Sequence, residues 1–174
     1  MPLSKIPNSM QDAITLSDLP TLTDAQMPAG SVLQVQASGS TAWTTVTSTS
    51  GIIGLSCSIT PSSTASKVLV MMNLNGITVS TTSQYGKLEL YRDPGDTLIR
   101  RISDICGYSV SHTHYNTDVT SSYLDSPSST AALTYKLLVA SSNSSHYIGY
   151  NNYATGNNRT SSVMTLLEIA GWAH

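Results

Sequence analysis

Two different strand patterns meet across one proline turn in residues 51–75, and this arrangement limits the folds open to the chain. Leu55, Cys57 and Ile59 alternate with serine and threonine, which is typical of a strand with one buried and one solvated face. After Pro61, residues 68–72 are apolar at every position and predict a central strand covered on both faces. The two strands form a β-hairpin if they share a sheet, or a β-arch if they lie in different sheets.

Short alternating segments separated by turns continue along the chain, and none has the 3.6-residue apolar spacing of a long amphipathic helix. The clearest hairpin surrounds residues 92–96, which are rich in turn residues. Asn75-Gly76 predicts either a tight turn or an irregularity within one strand. Residues 101–120 lose the alternation and predict a long excursion. About ten strands without βαβ alternation predict an all-β protein, an antiparallel β-sandwich of jelly-roll type.

The weak charge of the chain excludes some partners. Charged residues make up 10% of 174 residues and the net charge is −2, so no basic field is available to bind nucleic acid. The first residues contain no apolar run of the length needed for a signal peptide or membrane span, which predicts synthesis in a cytoplasm and no membrane contact. Cys57 and Cys106 are predicted to be reduced thiols rather than a disulfide.

Residues 1–28 predict an extended N-terminal arm, followed by a globular domain over residues 29–174. Prolines interrupt any helix in the arm, and its apolar residues are too isolated to form a core. The segment is either a disordered tail or an arm that docks on another chain, and the recurring apolar residues favour the arm. Fully extended, it would reach on the order of 80–90 Å. The predicted docking residues are Ile6, Met10, Ile14, Leu16, Leu19 and Leu22.

The sequence contains no pattern typical of a catalytic site. It has no Gly-x-Ser-x-Gly motif, and its scarce acidic residues fall mainly in predicted turns. A glycan-degrading enzyme would need a pair of facing carboxylates, for which the sequence offers no evidence. We therefore predict no catalytic residue, no enzymatic activity and no cofactor.

His112 and His114 form the one pattern that suggests a metal site, because in an extended strand their side chains lie on the same side, about 7 Å apart. Two ordinary loop histidines are the simpler explanation, although around a three-fold axis the pair would present a ring of imidazoles. Several tyrosines lie in or beside polar loops and could stack on sugars, but loop packing is the commoner reason for such a set. The candidate glycan-contacting residues are Tyr108, Tyr115, Tyr150 and Tyr153.

The strand and turn segments resemble those of a family of bacteriophage virion proteins, the tail-fibre-like and head-decoration proteins of aquatic and cyanobacterial phages. The resemblance covers roughly residues 30–170 and is informative about fold rather than chemistry. The segments that carry it are 54–63 (GLSCSITPSS), 67–70 (KVLV), 91–93 (YRD), 124–127 (LDSP), 133–136 (LTYK) and 163–169 (VMTLLEI).

This resemblance implies a homotrimer of jelly-roll knobs, and the opening Met-Pro-Leu-Ser-Lys-Ile is similar to the attachment ends of such proteins. Longer relatives carry a shaft between that end and the knob. Its absence here implies a squat capsid decoration or cement protein in the virion, bound through the arm to the major capsid protein or another virion protein. The alternative is the receptor-binding tip of a tail or head fibre, recognising a host cell-surface glycan through loops near residues 104–120 and 143–160.

Overall fold

The structure, a computed structural model, describes residues 26–42, 44–46, 52–79, 84–107, 115–141, 148–150 and 160–171. Within these ranges the chain forms strands and turns and contains no helix that could span a membrane. The strands are β1 (Val32–Ser40), β2 (Thr44–Val46), β3 (Ile52–Ile59), β4 (Lys67–Val79), β5 (Gln84–Asp93), β6 (Thr97–Gly107), β7 (Tyr115–Asp125), β8 (Leu133–Ser141), β9 (Ile148–Tyr150) and β10 (Ser162–Ile169).

The strands form two antiparallel sheets. The large sheet has the order β1-β10-β4-β9-β2, with β7 also paired to β4, and the small sheet has the order β3-β8-β5-β6. Four pairs are nested along the chain, β1 with β10, β3 with β8, β4 with β7 and β5 with β6, like one long hairpin rolled over on itself. The pairing of β10 with β4 and of β5 with β8 joins these into sheets. This strand order is that of a jelly roll, which confirms the predicted fold class.

The turn at Pro61 is a β-arch, because β3 belongs to the small sheet and β4 to the large one. Leu55, Cys57 and Ile59 are buried, as their alternation predicted, and Cys57 is a free thiol. The arch therefore carries the chain from one layer of the sandwich to the other.

Strand β4 lies between β10 and β7 in the large sheet, as predicted for a central strand. The prediction that it is covered on both faces is wrong. Val68, Val70 and Met72 face the core, whereas Met71 is 46% exposed. A jelly roll has only two layers, so the outer face of each sheet stays open unless another chain covers it.

Strands β5 and β6 form the predicted hairpin. Gly95 and Asp96 at its tip have φ values of +101° and +45°, in the left-handed region that a tight turn requires. Lys136 of the neighbouring β8 pairs with Asp93 at 2.5 Å and with Asp96 at 2.6 Å, which fixes the tip to the sheet.

Pairing between strands decides the conformation of two stretches whose sequence pattern is weak. Asn75-Gly76 is an irregularity within β4, where the register with β7 shifts and Gly76 has a φ of +62°. The predicted excursion over residues 101–120 is wrong at both ends, since β6 runs on to Gly107 and β7 begins at Tyr115. These segments lack alternation, but their neighbours β5 and β4 supply the backbone partners.

Candidate protein interaction face

Four apolar side chains line up across the outer face of the large sheet. Val35 of β1 is opposite Leu167 of β10, Leu167 is opposite Leu69 of β4, and Leu69 is opposite Leu124 of β7. Direct cross-strand partners lie side by side on one face, so these residues form a continuous row, called the apolar row below. Val35 is 55% exposed and Leu124 is 49% exposed at its two ends, and the row spans about 14 Å across the sheet.

Beside the apolar row, the same face contains a hollow of about 370 Å³. Met71 and Val163, which is 40% exposed, contribute apolar surface to it. Its remaining walls are the uncharged polar residues Asn73, Thr120, Ser121, Ser122 and Thr165, together with Met72. The hollow offers room for side chains from another molecule but no ionisable group with which to hold a charged ligand.

The two sheets differ in the charge of their outer faces. None of the described residues that form the apolar row and the hollow is ionisable. On the small sheet, by contrast, Arg101 binds Glu89 at 2.8 Å and Lys136 binds Asp93 at 2.5 Å. An open apolar row and an uncharged hollow on one sheet, opposite a charged sheet, are typical of a domain that another protein chain covers on one side.

The buried carboxylate of Glu168, on the core side of the apolar row, links β10 to β1 and to the arch through hydrogen bonds. Glu168 of β10 is fully buried, and its Oε1 accepts hydrogen bonds of 2.7 Å from both the backbone N–H and the hydroxyl of Ser62 in the arch. Its Oε2 accepts a 2.6 Å bond from Nε2 of Gln34 in β1. Burial alone would raise the pKa of Glu168, but the donor groups of Ser66, Gln34 and Ser62 outweigh it and hold that pKa below its ordinary value.

A second buried carboxylate lies next to Leu124, at the other end of the apolar row. Asp125 Oδ2 accepts a hydrogen bond of 2.7 Å from Tyr135 Oη and also binds the guanidinium of Arg92. Both partners belong to the small sheet, so Asp125 ties β7 to the opposite layer. Burial, followed by the hydrogen bond to Asp125, raises the pKa of Tyr135, which therefore keeps the proton that it donates.

Most of the residues predicted from sequence to form sites lie outside the described ranges. The histidine pair His112 and His114 lies there, as do Tyr108 and Tyr153. The arm residues Ile6, Met10, Ile14, Leu16, Leu19 and Leu22 also lie there. Within the described chain, no three His, Cys, Asp or Glu side chains are grouped as metal ligands. The metal site, the glycan site and the docking role of the arm therefore stay predictions.

The backbone positions of Tyr115 and Tyr150 are described, and both lie at the same end of the large sheet. Val79 at the end of β4 is opposite Tyr115 of β7 on one side and Ile148 of β9 on the other. Tyr150 lies two residues beyond Ile148 on β9, opposite Thr44. The fold thus brings together two of the four candidate glycan-contacting positions.

Comparisons with known proteins yield distant structural matches. No family model and no curated protein matches the chain. Among solved structures, the chain is similar to VP2 of infectious bursal disease virus in a subviral particle, with a TM-score of 0.45 and 13% identity over 81% of this chain and 43% of that one. It is also similar to T=1 particles derived from that virus, with a TM-score of 0.37 and 12% identity over 88% and 45% of the two chains. The chain thus spans less than half the length of these proteins. A likeness this distant assigns no function.

The interaction face includes residues that sequence reasoning did not identify as a site. Residues 68–72 carried the sequence evidence for this face, because they are apolar on both sides of the strand, but both sides were predicted to lie in the interior. Three of these side chains face the core, and the other two, Leu69 and Met71, belong to the open face. Leu124 and Val35 gave no such signal because their neighbours are polar.

Proposed function

We propose that this chain is a non-enzymatic structural protein of a virion, a homotrimer that decorates or cements a phage capsid. The observation that carries the proposal is the open apolar row on the large sheet, together with the uncharged hollow beside it. Isolated soluble domains rarely leave such a face uncovered, and a closed symmetric oligomer is the usual solution. The sequence resemblance to phage virion proteins supplies the class of particle.

The oligomeric part of the proposal is tested by light scattering of the full chain and of two matched variants. Leu124 on the apolar row and Leu98 on the small sheet are both 49% exposed. We expect a trimer for the unmodified chain and for Leu98→Glu, and a shift towards monomer for Leu124→Glu, because a buried unpaired charge opposes association. A stable monomer of the unmodified chain at micromolar concentration would contradict the proposal.

The particle role is tested by locating the protein on intact virions with a specific antibody and electron microscopy. A decoration or cement protein labels the head in many copies, and its addition to heads that lack it raises their melting temperature. Label restricted to tails or fibre tips would instead favour the second candidate.

The second candidate is a receptor-binding tip that recognises a host glycan. Its support is the shared position of Tyr115 and Tyr150 at one end of the large sheet, next to the strand ends from which the predicted binding loops start. A glycan array distinguishes the two functions, since decoration does not require sugar binding. Loss of a glycan signal in Tyr115→Ala or Tyr150→Ala would assign the site.

A further inference from the structure

We propose that residues 14–22 of the N-terminal arm of one copy lie in extended form across the apolar row of a neighbouring copy, with apolar side chains in the adjacent hollow. This inference rests on the proposed homotrimer and names the contact that holds it together. Side chains alternate along an extended segment, so the occupying side chains are those of Ile14, Leu16 and Leu22, which share one side of it.

The point at which the described chain begins makes this contact accessible. Gly30 N–H donates to Ala170 O and Ala170 N–H donates to Ser31 O, both at 2.8 Å, which continues the pairing of β1 with β10 in the plane of the large sheet. The described chain therefore begins beside β1, the edge strand of that sheet, from which an adjacent molecule can be reached. Residues 28–31 form a turn, since Ser31 N–H donates to Pro28 O at 3.0 Å, and the four residue steps from Leu22 to Gln26 add up to about 14 Å, which equals the width of the apolar row.

The residue types of the arm match those of the outer face of the large sheet. Residues 13–23 place aliphatic side chains among serine, threonine, Asp18 and Pro20, which suits a face built mainly from aliphatic, serine and threonine residues. Residues 12–24 carry Asp12, Asp18 and Asp24 and no Lys or Arg. Two cations and one anion border the row and the hollow: Lys67 lies two residues before Leu69 on β4, Arg100 Nη1 donates to Ser122 O at 3.2 Å, and Asp118 lies two residues before Thr120 on β7.

A single extended segment fits this face better than a second sheet does. The hollow of about 370 Å³ lies beside the apolar row, and a flat sheet packed on the row would leave it unfilled. Voids of this size are costly in protein interfaces, because the lining atoms lose their contacts. Isolated leucine side chains on a narrow strand can instead enter the hollow.

Photo-crosslinking of the full chain tests the contact directly. A benzophenone amino acid replaces Leu124 in one variant and Leu98 in its matched control, in trimers assembled from mixed heavy-isotope and ordinary chains. We expect Leu124 crosslinks to map to residues 14–22, with about half of them joining heavy to light chains in an equal mixture, and no such products from the Leu98 position. Crosslinks from Leu124 to another copy's sheet, to the arm of the same chain only, or to neither would overturn the proposal.

A pair of double variants separates this contact from attachment to the particle. Ile14→Ser with Leu16→Ser should raise the dissociation constant of the trimer at least tenfold, whereas Ile6→Ser with Met10→Ser should leave it unchanged. Equal effects of the two double variants on the trimer would contradict the assignment of residues 14–22. Failure of the unmodified chain to bind virus heads, with the crosslinks intact, would instead count against the proposed function and leave this contact standing.

Discussion

Tyr135 Oη donates a 2.7 Å hydrogen bond to Asp125 Oδ2, and this bond joins the small sheet to the large one. Both side chains are buried, and Arg92 binds the same carboxylate oxygen. The bond lies directly beneath the end of the interaction face, because Leu124 precedes Asp125 on β7. A carboxylate in the core thus holds in place the strand that carries Leu124 on its outer face.

The first prediction concerns this bond. Tyr135→Phe should lower the free energy of unfolding by about 1.5–3 kcal/mol, the range for a hydrogen bond to a charged group. The measurement is chemical denaturation at neutral pH. Tyr91→Phe is the control, because Tyr91 Oη donates a longer bond of 3.2 Å to Glu89 in a less buried position, and its effect should be smaller. Equal losses in the two variants would refute the special role of Asp125.

The second prediction is a loss of stability in acid that depends on Glu168. Its pKa is lower in the folded chain than its ordinary value of 4.5, so the carboxylate stabilises the fold above that pH. The contribution disappears as pH falls through the lowered pKa, and stability should therefore decline as pH falls below 4.5. Denaturation at a series of pH values measures the slope.

Glu168→Gln should flatten this decline, and at neutral pH it should cost about 1–3 kcal/mol because the carboxamide keeps one acceptor oxygen and directs a donor NH2 at the donors of either Ser62 or Gln34. Asp93→Asn is the control. The hydrogen bond from Lys136 lowers the pKa of Asp93 in the same direction, but the pair lies at the surface and should change the slope less. An unchanged slope in Glu168→Gln would mean that other groups cause the acid sensitivity.

The third prediction concerns the core. Leu137 and Val68 are 1% and 0% exposed, as their strand patterns predicted, and changing either to Ala should cost about 2–4 kcal/mol through transfer and cavity terms. Leu98→Ala, on an exposed side chain, should stay within about 0.5 kcal/mol of the unmodified chain. Thermal and chemical denaturation measure these losses. A melting curve unchanged in Leu137→Ala would show that the Leu137 side chain is not packed in the core.

The fourth prediction comes from the sequence alone. If His112 and His114 line a three-fold axis, the trimer should carry about one transition-metal ion per three chains, held by neutral imidazoles. Binding should weaken as pH falls through about 6.5. Elemental analysis of protein purified without an affinity tag measures the metal, and His112→Ala should abolish it. Metal-free trimers of full thermal stability would make both residues ordinary loop histidines.

The sequence determined the class of fold because period-two alternation and turn residues are local properties. Leu55, Cys57 and Ile59 are buried as that alternation required, and the turn at residues 93–96 forms the tip of a hairpin as its composition required. The resemblance to phage virion proteins rests on the same strand and turn residues, which is why it informs the fold more than the chemistry.

The tertiary structure alone decided which side of each strand became an interaction face. Residues 68–72 are apolar on both sides, and only the pairing of β4 between β10 and β7 shows that Leu69 and Met71 face outward. The apolar row joins residues of four strands from position 35 to position 167, and Glu168 is buried because Gln34 and Ser62 reach it from elsewhere in the chain. Such relationships depend on register between distant segments, which the local pattern of any one strand does not specify.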